Sequence, residues 1–264
     1  MSGHNRTTRR LVFTNRKGGC GKTTTSVNIA AALAHMGHSV LVVDTDPQAH
    51  ATMSLGVGQA NLRGDLGDVA SGRIGALEAL RATYIPRLKL IPASRRLAEY
   101  EHRNELNDEA RYWFQRRLGA LMDRFDFTIF DTPLTVQLLT VSALVAVREA
   151  YIPTQAHFLA VEGMVEIIEL VSTIRERYNP ELVIRGIVPT FFEEDASFSK
   201  EILDDVRSGL GESVVMVPIH HNAALAEAPG HGRTIFQHDL RSTGAVDYYR
   251  AAVQIKRLGA PVPD

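Results

Sequence analysis

A glycine-rich segment that contains two lysines has the clearest chemical potential in this sequence. It follows a short apolar run at 11–14 and consists of Lys17, Gly18, Gly19, Cys20, Gly21, Lys22, Thr23 and Thr24. Glycines let the backbone curl so that several N–H groups converge on phosphate oxygens, and a helix N-terminus behind them adds a favourable dipole. Lys22 is then placed to reach the β- and γ-phosphates of a nucleotide, and the Thr23 hydroxyl is placed to bind Mg²⁺. The alternative is a glycine-rich turn with incidental lysines.

The segment departs from the general phosphate-loop motif at one position. Arg16 occupies the place, five residues before Gly21, where that motif has a glycine. A second lysine, Lys17, stands directly before the glycines instead.

Two further apolar runs end in aspartates. The first is followed by Asp44, Thr45 and Asp46, and the second, at 127–130, is followed by Asp131. Ligands of open α/β sheets gather at the carboxyl ends of the strands, so these carboxylates are candidates for the same site. An isolated Asp-x-Asp is more often a solvated turn, but its spacing behind the glycine-rich segment favours a functional role.

Apolar runs alternate with helical stretches along the whole chain. The predicted strands are 11–14, 39–43, 88–91, 127–130, 150–152, 182–188 and 214–217, with helices at about 23–36 and 244–258 and short helices within 56–87. This alternation predicts a doubly wound, mostly parallel α/β sheet with helices on both faces. We expect one domain over 11–259, a flexible basic tail at 1–10 and a short C-terminal tail at 260–264.

Composition narrows the functional classes. The chain has 264 residues, 45% of them hydrophobic, and a formal charge of −1, so any contact with nucleic acid depends on a local basic patch. Cys20 is the only cysteine, which excludes a disulfide framework within one chain. The N-terminus lacks the apolar stretch of a secretory signal, and 258–264 is too rich in glycine and proline to extend a helix. We therefore expect a cytoplasmic protein without membrane attachment.

The segment K-G-G-x-G-K-T-T resembles the signature of the ParA/MinD group of deviant Walker A P-loop ATPases, and the chain looks like a ParA/Soj-type partition ATPase. The resemblance extends from Leu11 to about Leu258. It includes Pro153-Thr154-Gln155, Val161-Glu162-Gly163 and the stretch from Asn222 to Gly232. It implies a P-loop NTPase fold with ATP and Mg²⁺ as cofactors.

The resemblance also implies specific roles. Lys17 is expected to reach across a dimer interface to the partner's phosphates, Asp46 to position the attacking water, and Asp131 to hold magnesium through a water. Asn222 is expected on the adenine side, with a capping asparagine as the alternative. Catalysis is assigned to Asp46, Lys17 and Lys22, the metal to Thr23 and Asp131, and nucleotide contacts to Lys17, Gly18, Gly19, Cys20, Gly21, Lys22, Thr23, Thr24, Asp44, Asp131 and Asn222.

The function implied by the resemblance is an ATP-dependent dimerisation switch with slow hydrolysis that partitions or positions cargo. Such a homodimer would be stimulated by a ParB-like protein or a cargo adaptor. Two positions that are basic in many DNA-binding relatives are Asp195 and Ala224 here, whereas arginines at 111–124 and cations at 241–257 form other candidate patches. DNA binding and nucleoid association therefore stay open. The alternatives are a positioning ATPase that does not bind DNA and a metabolic P-loop ligase or synthetase.

Overall fold

The computed structural model describes residues 8–58, 62–155, 158–193, 208, 211 and 214–258. Within them, seven strands form one sheet in the order β3-β4-β2-β5-β1-β6-β7. The strands are β1 (Arg9–Phe13), β2 (Val40–Asp44), β3 (Arg81–Ala82), β4 (Leu88–Ile91), β5 (Phe127–Asp131), β6 (Glu149–Gln155) and β7 (Val183–Thr190). All neighbouring pairs of these strands are parallel except β3 with β4. The predicted doubly wound, mostly parallel sheet is confirmed.

Helices cover both faces of the sheet. They are α1 (Lys22–His35), α2 (His50–Ser54), α3 (Leu66–Ala70), α4 (Ala76–Ala79), α5 (Arg96–Asn104), α6 (Trp113–Met122), α7 (Leu138–Ala146), α8 (Phe158–Arg177), α9 (Ala223–Glu227), α10 (Ile235–His238) and α11 (Thr243–Leu258), with 3₁₀ turns at Asp108–Tyr112 and Ala228–His231. Within the described part of the chain, no helix combines the length and the apolar character that crossing a bilayer requires.

The alternation of side chains along β1 shows how the two layers form. Val12 belongs to an apolar cluster with residues of α5, α6, α7 and α8, whereas Leu11 and Phe13 belong to a second cluster with residues of α1 and α11. Successive strand residues point to opposite faces, so one buried strand supplies both cores. All five residues of β2 are buried for the same reason.

The first strand begins earlier than predicted. β1 starts at Arg9, so Arg9 and Arg10 belong to the sheet, although the predicted tail at 1–10 included them. Residues 1–7 lie outside the described part of the chain. The Arg9 guanidinium donates from Nε to Glu149 Oε1 at 2.8 Å and from Nη1 to Ile255 O at 2.6 Å. These partners, distant in sequence, let a cation occupy the start of a buried strand. The predicted C-terminal tail lies outside the described residues.

The strand predicted at 214–217 is wrong. Val215 forms only an isolated parallel bridge with Ile187. The Val217 N–H donates to Gln254 Oε1 at 2.9 Å, and the next residue, Pro218, has no N–H to donate. Pairing with β7 is interrupted at these two residues and resumes only at Ile219, so the segment forms no regular strand. The two-residue β3 was not predicted, because such a short edge strand has no periodic pattern of its own.

The order of the strands determines where a site can form. The register pairs Phe13 and Asp44 with Asp131, so β1, β2 and β5 end at the same level of the sheet. The connection from β1 runs through 14–21 into α1, directly above these carboxyl ends. This is the edge at which open α/β sheets bind their ligands.

Candidate nucleotide site

The glycine-rich segment forms a tight loop between β1 and α1. Gly21 occupies the N-cap position of α1 with φ 81°, a left-handed conformation that favours glycine. No side chain of the described residues caps this end of α1. The first N–H groups of the helix therefore face the loop, in the arrangement that suits an anion.

Side chains from neighbouring strands hold the loop in place. Asn15 Nδ2 donates to Pro153 O at 2.7 Å, and Asn15 Oδ1 accepts from the Lys17 N–H at 3.0 Å. Gln155 Nε2 donates to Gly19 O at 3.0 Å. The segment Pro153-Thr154-Gln155, which was singled out only by resemblance, thus fixes the loop against the end of β6.

A third attachment comes from β7. Thr190 Oγ1 donates to Cys20 O at 3.0 Å in a buried position. Sequence analysis missed Thr190 and Asn15, because neither belongs to a local motif. The Cys20 side chain is buried, and burial raises the pKa of its thiol, so the thiol stays protonated within the loop.

Lys22 lies folded over the loop. Its Nζ donates to Lys17 O at 3.1 Å and lies 4.0 Å from Cys20 Sγ. The ammonium therefore lies against a backbone carbonyl of the loop that is predicted to bind phosphate.

Asp131 lies at the end of β5 and joins the two residues predicted to hold a metal. Its Oδ2 accepts from Thr23 Oγ1 and its Oδ1 from Ser26 Oγ, both at 2.8 Å. Burial raises the pKa of Asp131 to about 7, although hydrogen bonds from Ser26 and Thr23 oppose the shift. Ser26 was missed, and its position three residues after Thr23 on α1 was the available signal.

The donor set around Asp131 fits a hard divalent cation. A threonine hydroxyl and a carboxylate are oxygen donors of the kind that Mg²⁺ prefers, and Mg²⁺ usually keeps several waters beside one or two carboxylates and a phosphate. The described residues contain no group of three His, Cys, Asp or Glu side chains that could hold a metal alone. A buried carboxylate whose ionisation is disfavoured gains most from a nearby cation. Thr23 and Asp131 are thus suited to a magnesium ion that is shared with phosphate.

The two aspartates after β2 have different surroundings. Asp44 is fully buried, and its Oδ2 accepts from Thr52 N at 2.8 Å and Thr52 Oγ1 at 2.6 Å. Burial and the charge of Asp131 raise the pKa of Asp44 to about 8. Asp46 is partly exposed, its Oδ1 accepts from Gln48 N at 2.9 Å, and its charge contributes to the raised pKa of Asp131. Of these two aspartates, Asp46 is therefore the one whose carboxylate can reach solvent.

A pocket opens on the other side of the loop. Its lining combines the start of α1, the end of β7 and α9: Gly21, Thr24, Thr190, Phe191, Ile219, His220, His221, Asn222, Ala223, Leu225, Ala226 and Tyr248. Asn222 caps α9, since its Oδ1 accepts from Ala224 N at 3.0 Å while its Nδ2 donates to Thr243 Oγ1 at 2.8 Å. The capping alternative for Asn222 is therefore observed, in a residue that also lines the pocket.

Comparison with known proteins agrees with this geometry. A family model described as an AAA domain matches residues 8–184. The sporulation initiation inhibitor protein Soj of Bacillus subtilis is 34% identical over 94% of this chain and 98% of Soj. The chromosome partitioning protein ParA of Caulobacter vibrioides is 34% identical over 93% of this chain and 92% of its own. The chain belongs to the ParA/Soj family of partition ATPases.

A solved structure shows how far the ParA/Soj fold is shared. A protein from Mycobacterium smegmatis with bound ADP and magnesium, named cobyrinic acid a,c-diamide synthase, superposes with a TM-score of 0.81 at 31% identity. The match covers 95% of this chain and 94% of that one. It confirms the P-loop fold over nearly the whole chain. Its name describes a different activity from that of Soj and ParA, so the fold alone does not choose between them.

Proposed function

We propose that this protein is an ATP-dependent dimerisation switch that hydrolyses ATP slowly and positions a cargo. One observation carries the proposal: the loop with Lys17 and Lys22, the Thr23–Asp131 pair and the Asp46 carboxylate converge at one edge of the sheet. The relatives Soj and ParA, which match the chain over more than nine tenths of its length, support the positioning role.

Phosphoryl transfer depends mainly on positioning and charge stabilisation. The loop N–H groups and Lys22 bind the β- and γ-phosphates. Thr23 and Asp131 would hold a magnesium ion, which would supply positive charge to neutralise the phosphate oxygens. Asp46 orients the attacking water through its partly exposed carboxylate. Gly18, Gly19, Cys20, Gly21 and Thr24 complete the phosphate cradle, while Asp44 orders the segment after β2 through Thr52.

The pocket beside the loop is suited to the adenine base. Its lining is largely apolar, it adjoins Gly21 and Thr24, and the half-exposed ring of Phe191 borders it. Flat aromatic bases stack on such rings. Asn222 then acts indirectly, by fixing the start of α9 beside the base.

In addition to its hydrolysis, the bound nucleotide would favour the dimer over the monomer. Lys17 is only partly buried at the rim of the loop, and we propose that it reaches phosphates held by the partner, as in the ParA/MinD group. A ligand shifts an equilibrium only by its differential affinity for the two states. Contact between Lys17 and the partner's γ-phosphate would supply that difference, and a ParB-like protein or cargo adaptor would speed the reset.

Lys17→Ala is expected to prevent the ATP dimer while it leaves MgATP binding to the monomer within about threefold, since Lys22 and the loop amides remain. Calorimetry measures the affinity, and size-exclusion chromatography with light scattering, with and without a non-hydrolysable ATP analogue, measures the mass. The matched control is Lys89→Ala on β4, which should dimerise like wild type. A Lys17→Ala protein that dimerises normally would remove the bridging role.

Nonspecific DNA is the proposed surface that the dimer engages, which would place the protein on the nucleoid. Asp195 lies outside the described residues, and Ala224 lies in α9. Arg111 and Arg116 pair with Asp108 and Glu109, which weakens the patch at 111–124. On α11, by contrast, Arg250, Lys256 and Arg257 are exposed, and none pairs with a carboxylate of the described chain. The face of α11 is therefore the better candidate.

The double variant Arg250→Ala, Arg257→Ala is expected to weaken ATP-dependent DNA binding and to flatten its dependence on salt. Each lost phosphate contact changes the slope of log K against log [salt] by about 0.9, so the expected change is roughly 2. Fluorescence anisotropy with two unrelated duplexes across a salt series measures this slope. Arg111→Ala, Arg116→Ala is the matched control and should change it less. Absence of binding by wild type at low salt would favour a positioning ATPase that does not use DNA.

A metabolic ligase or synthetase is the second candidate, because the name of the M. smegmatis structure describes a synthase. That function predicts ATP turnover that depends on a small carboxylate substrate and an amide nitrogen donor. The switch predicts turnover that depends on DNA or a partner protein. Phosphate release measured with each class of additive separates the two functions.

A further inference from the structure

An ion pair stands beside the loop at the position where this chain departs from the general motif. Arg16 Nη1 lies 3.0 Å from Glu166 Oε2 on α8, and the two side chains are 51% and 48% exposed. A pair this exposed contributes little to the stability of a monomer. Its position is more informative, because Arg16 directly precedes Lys17.

Helix α8 approaches the loop closely at this point. A Cβ atom added to Gly163 would lie 3.4 Å from Asn15 Oδ1 and 3.7 Å from Lys17 Cβ. The glycine thus lets α8 lie against the loop, so that Glu166, one turn later, reaches Arg16. The surface that holds Glu166 is therefore the surface from which Lys17 emerges.

An apolar side chain accompanies the charges. Leu134, in the loop after β5, is 48% exposed. A Leu134 methyl carbon lies 3.7 Å from the Cβ position of Gly18. We name Arg16, Leu134 and Glu166 the rim. A mixed rim of half-exposed apolar and charged groups around one lysine is typical of a surface that another protein covers.

We propose that a second copy of this chain covers the rim, and that the dimer exchanges the Arg16–Glu166 pair between protomers. This inference rests on the proposed ATP dimer and names side chains that stabilise it. In a two-fold interface a residue i that contacts j of the partner implies that j contacts i of the partner. Arg16 and Glu166 lie 3.0 Å apart on one protomer. If Arg16 of one protomer pairs with Glu166 of the other, the two-fold axis forms the reverse pair as well. Closure replaces two internal pairs by two pairs across the interface, where less water strengthens the Coulomb attraction within each pair.

Charge reversal with mixing of variants tests the exchange. Arg16→Glu carries two carboxylates at the pair, and Glu166→Arg carries two guanidinium groups. Each variant alone should dimerise at least about tenfold more weakly than wild type with a non-hydrolysable ATP analogue, because like charges face each other. An equimolar mixture should form the heterodimer within about threefold of the wild-type affinity, since both cross-pairs then join opposite charges. Native mass spectrometry with one variant ¹⁵N-labelled counts homodimers and heterodimers.

The mixture separates exchange from an internal pair. An internal pair would be broken in both partners of the mixture, so no rescue would occur, and that result overturns the proposal. Undiminished dimerisation by the single variants overturns it as well. Calorimetry with the analogue and thermal melting of each monomer show that a weak dimer does not arise from lost nucleotide binding or unfolding. If wild type itself fails to dimerise with the analogue, the proposed switch is wrong. If wild type dimerises but the mixture of variants forms no heterodimer, only the exchange of the Arg16–Glu166 pair is wrong.

Discussion

Lys22→Ala is expected to remove measurable MgATP binding. The Lys22 ammonium lies against the loop, 3.1 Å from Lys17 O. In the nucleotide complex it would contact the β- and γ-phosphates instead of this carbonyl. Hydrogen bonds to charged groups contribute about 1.5–3 kcal/mol each, so the loss of two raises Kd on the order of 100-fold or more. Calorimetric titration of MgATP into the pure variant measures the affinity.

A thermal melt controls for the fold in this experiment. Lys22 is partly exposed and makes few contacts in the described structure, so the variant without nucleotide should melt close to wild type. Saturating MgATP should raise the melting temperature of wild type, because ligand at 100 times Kd adds about 2.7 kcal/mol of stability, and should leave the variant unchanged. Lys89→Ala should respond like wild type. Unchanged affinity in Lys22→Ala would contradict the assignment of the loop.

Asp46→Ala is expected to trap the ATP dimer. Asp46 combines partial exposure with proximity to Asp131, and it is the proposed orienting group for the attacking water. Loss of the correct position of a reacting group typically slows a step on the order of 10²-fold. Nucleotide binding should persist, since Lys22, Thr23 and Asp131 are intact. Phosphate release measures the rate, and light scattering with ATP measures the mass.

Two variants sharpen this result. Asp46→Asn keeps the size of the side chain without its charge and should behave like the alanine variant, if the carboxylate is what matters. Asp239→Ala removes an exposed aspartate away from the loop and should hydrolyse ATP at the wild-type rate. An Asp46→Ala protein that stays monomeric with ATP, or that hydrolyses ATP normally, would contradict the proposed cycle.

Local sequence was sufficient to predict that the loop, Thr23 and Asp131 lie together. Strand–loop–helix order places them at one sheet edge, where Thr23 Oγ1 donates to Asp131 Oδ2 at 2.8 Å. The supports of the loop could not be found in the same way. Thr190 and Cys20 are 170 positions apart in sequence, and only the assembled sheet brings them together. A hydrogen bond of that separation leaves no periodic signal in the chain.

The errors in the fold have the same origin. The run 214–217 has the composition of a strand, but the side chain of Gln254 and the missing N–H of Pro218 interrupt its pairing with β7. Arg9 does not look like a strand residue until Glu149 supplies its counter-charge from β6. In both cases a tertiary contact overrides a local preference. Helix α1 has an alanine-rich sequence that favours a helix, and its tertiary contacts do not oppose that preference. Its bounds were predicted to within one residue at each end.

Isothermal titration of MgATP into the purified, nucleotide-free protein shows whether this loop binds a nucleoside triphosphate with magnesium. We expect saturable binding of one nucleotide per chain, which disappears in Lys22→Ala and is retained in Lys89→Ala. If wild type gives no binding heat at several temperatures and MgATP does not raise its melting temperature, the loop does not bind the nucleotide.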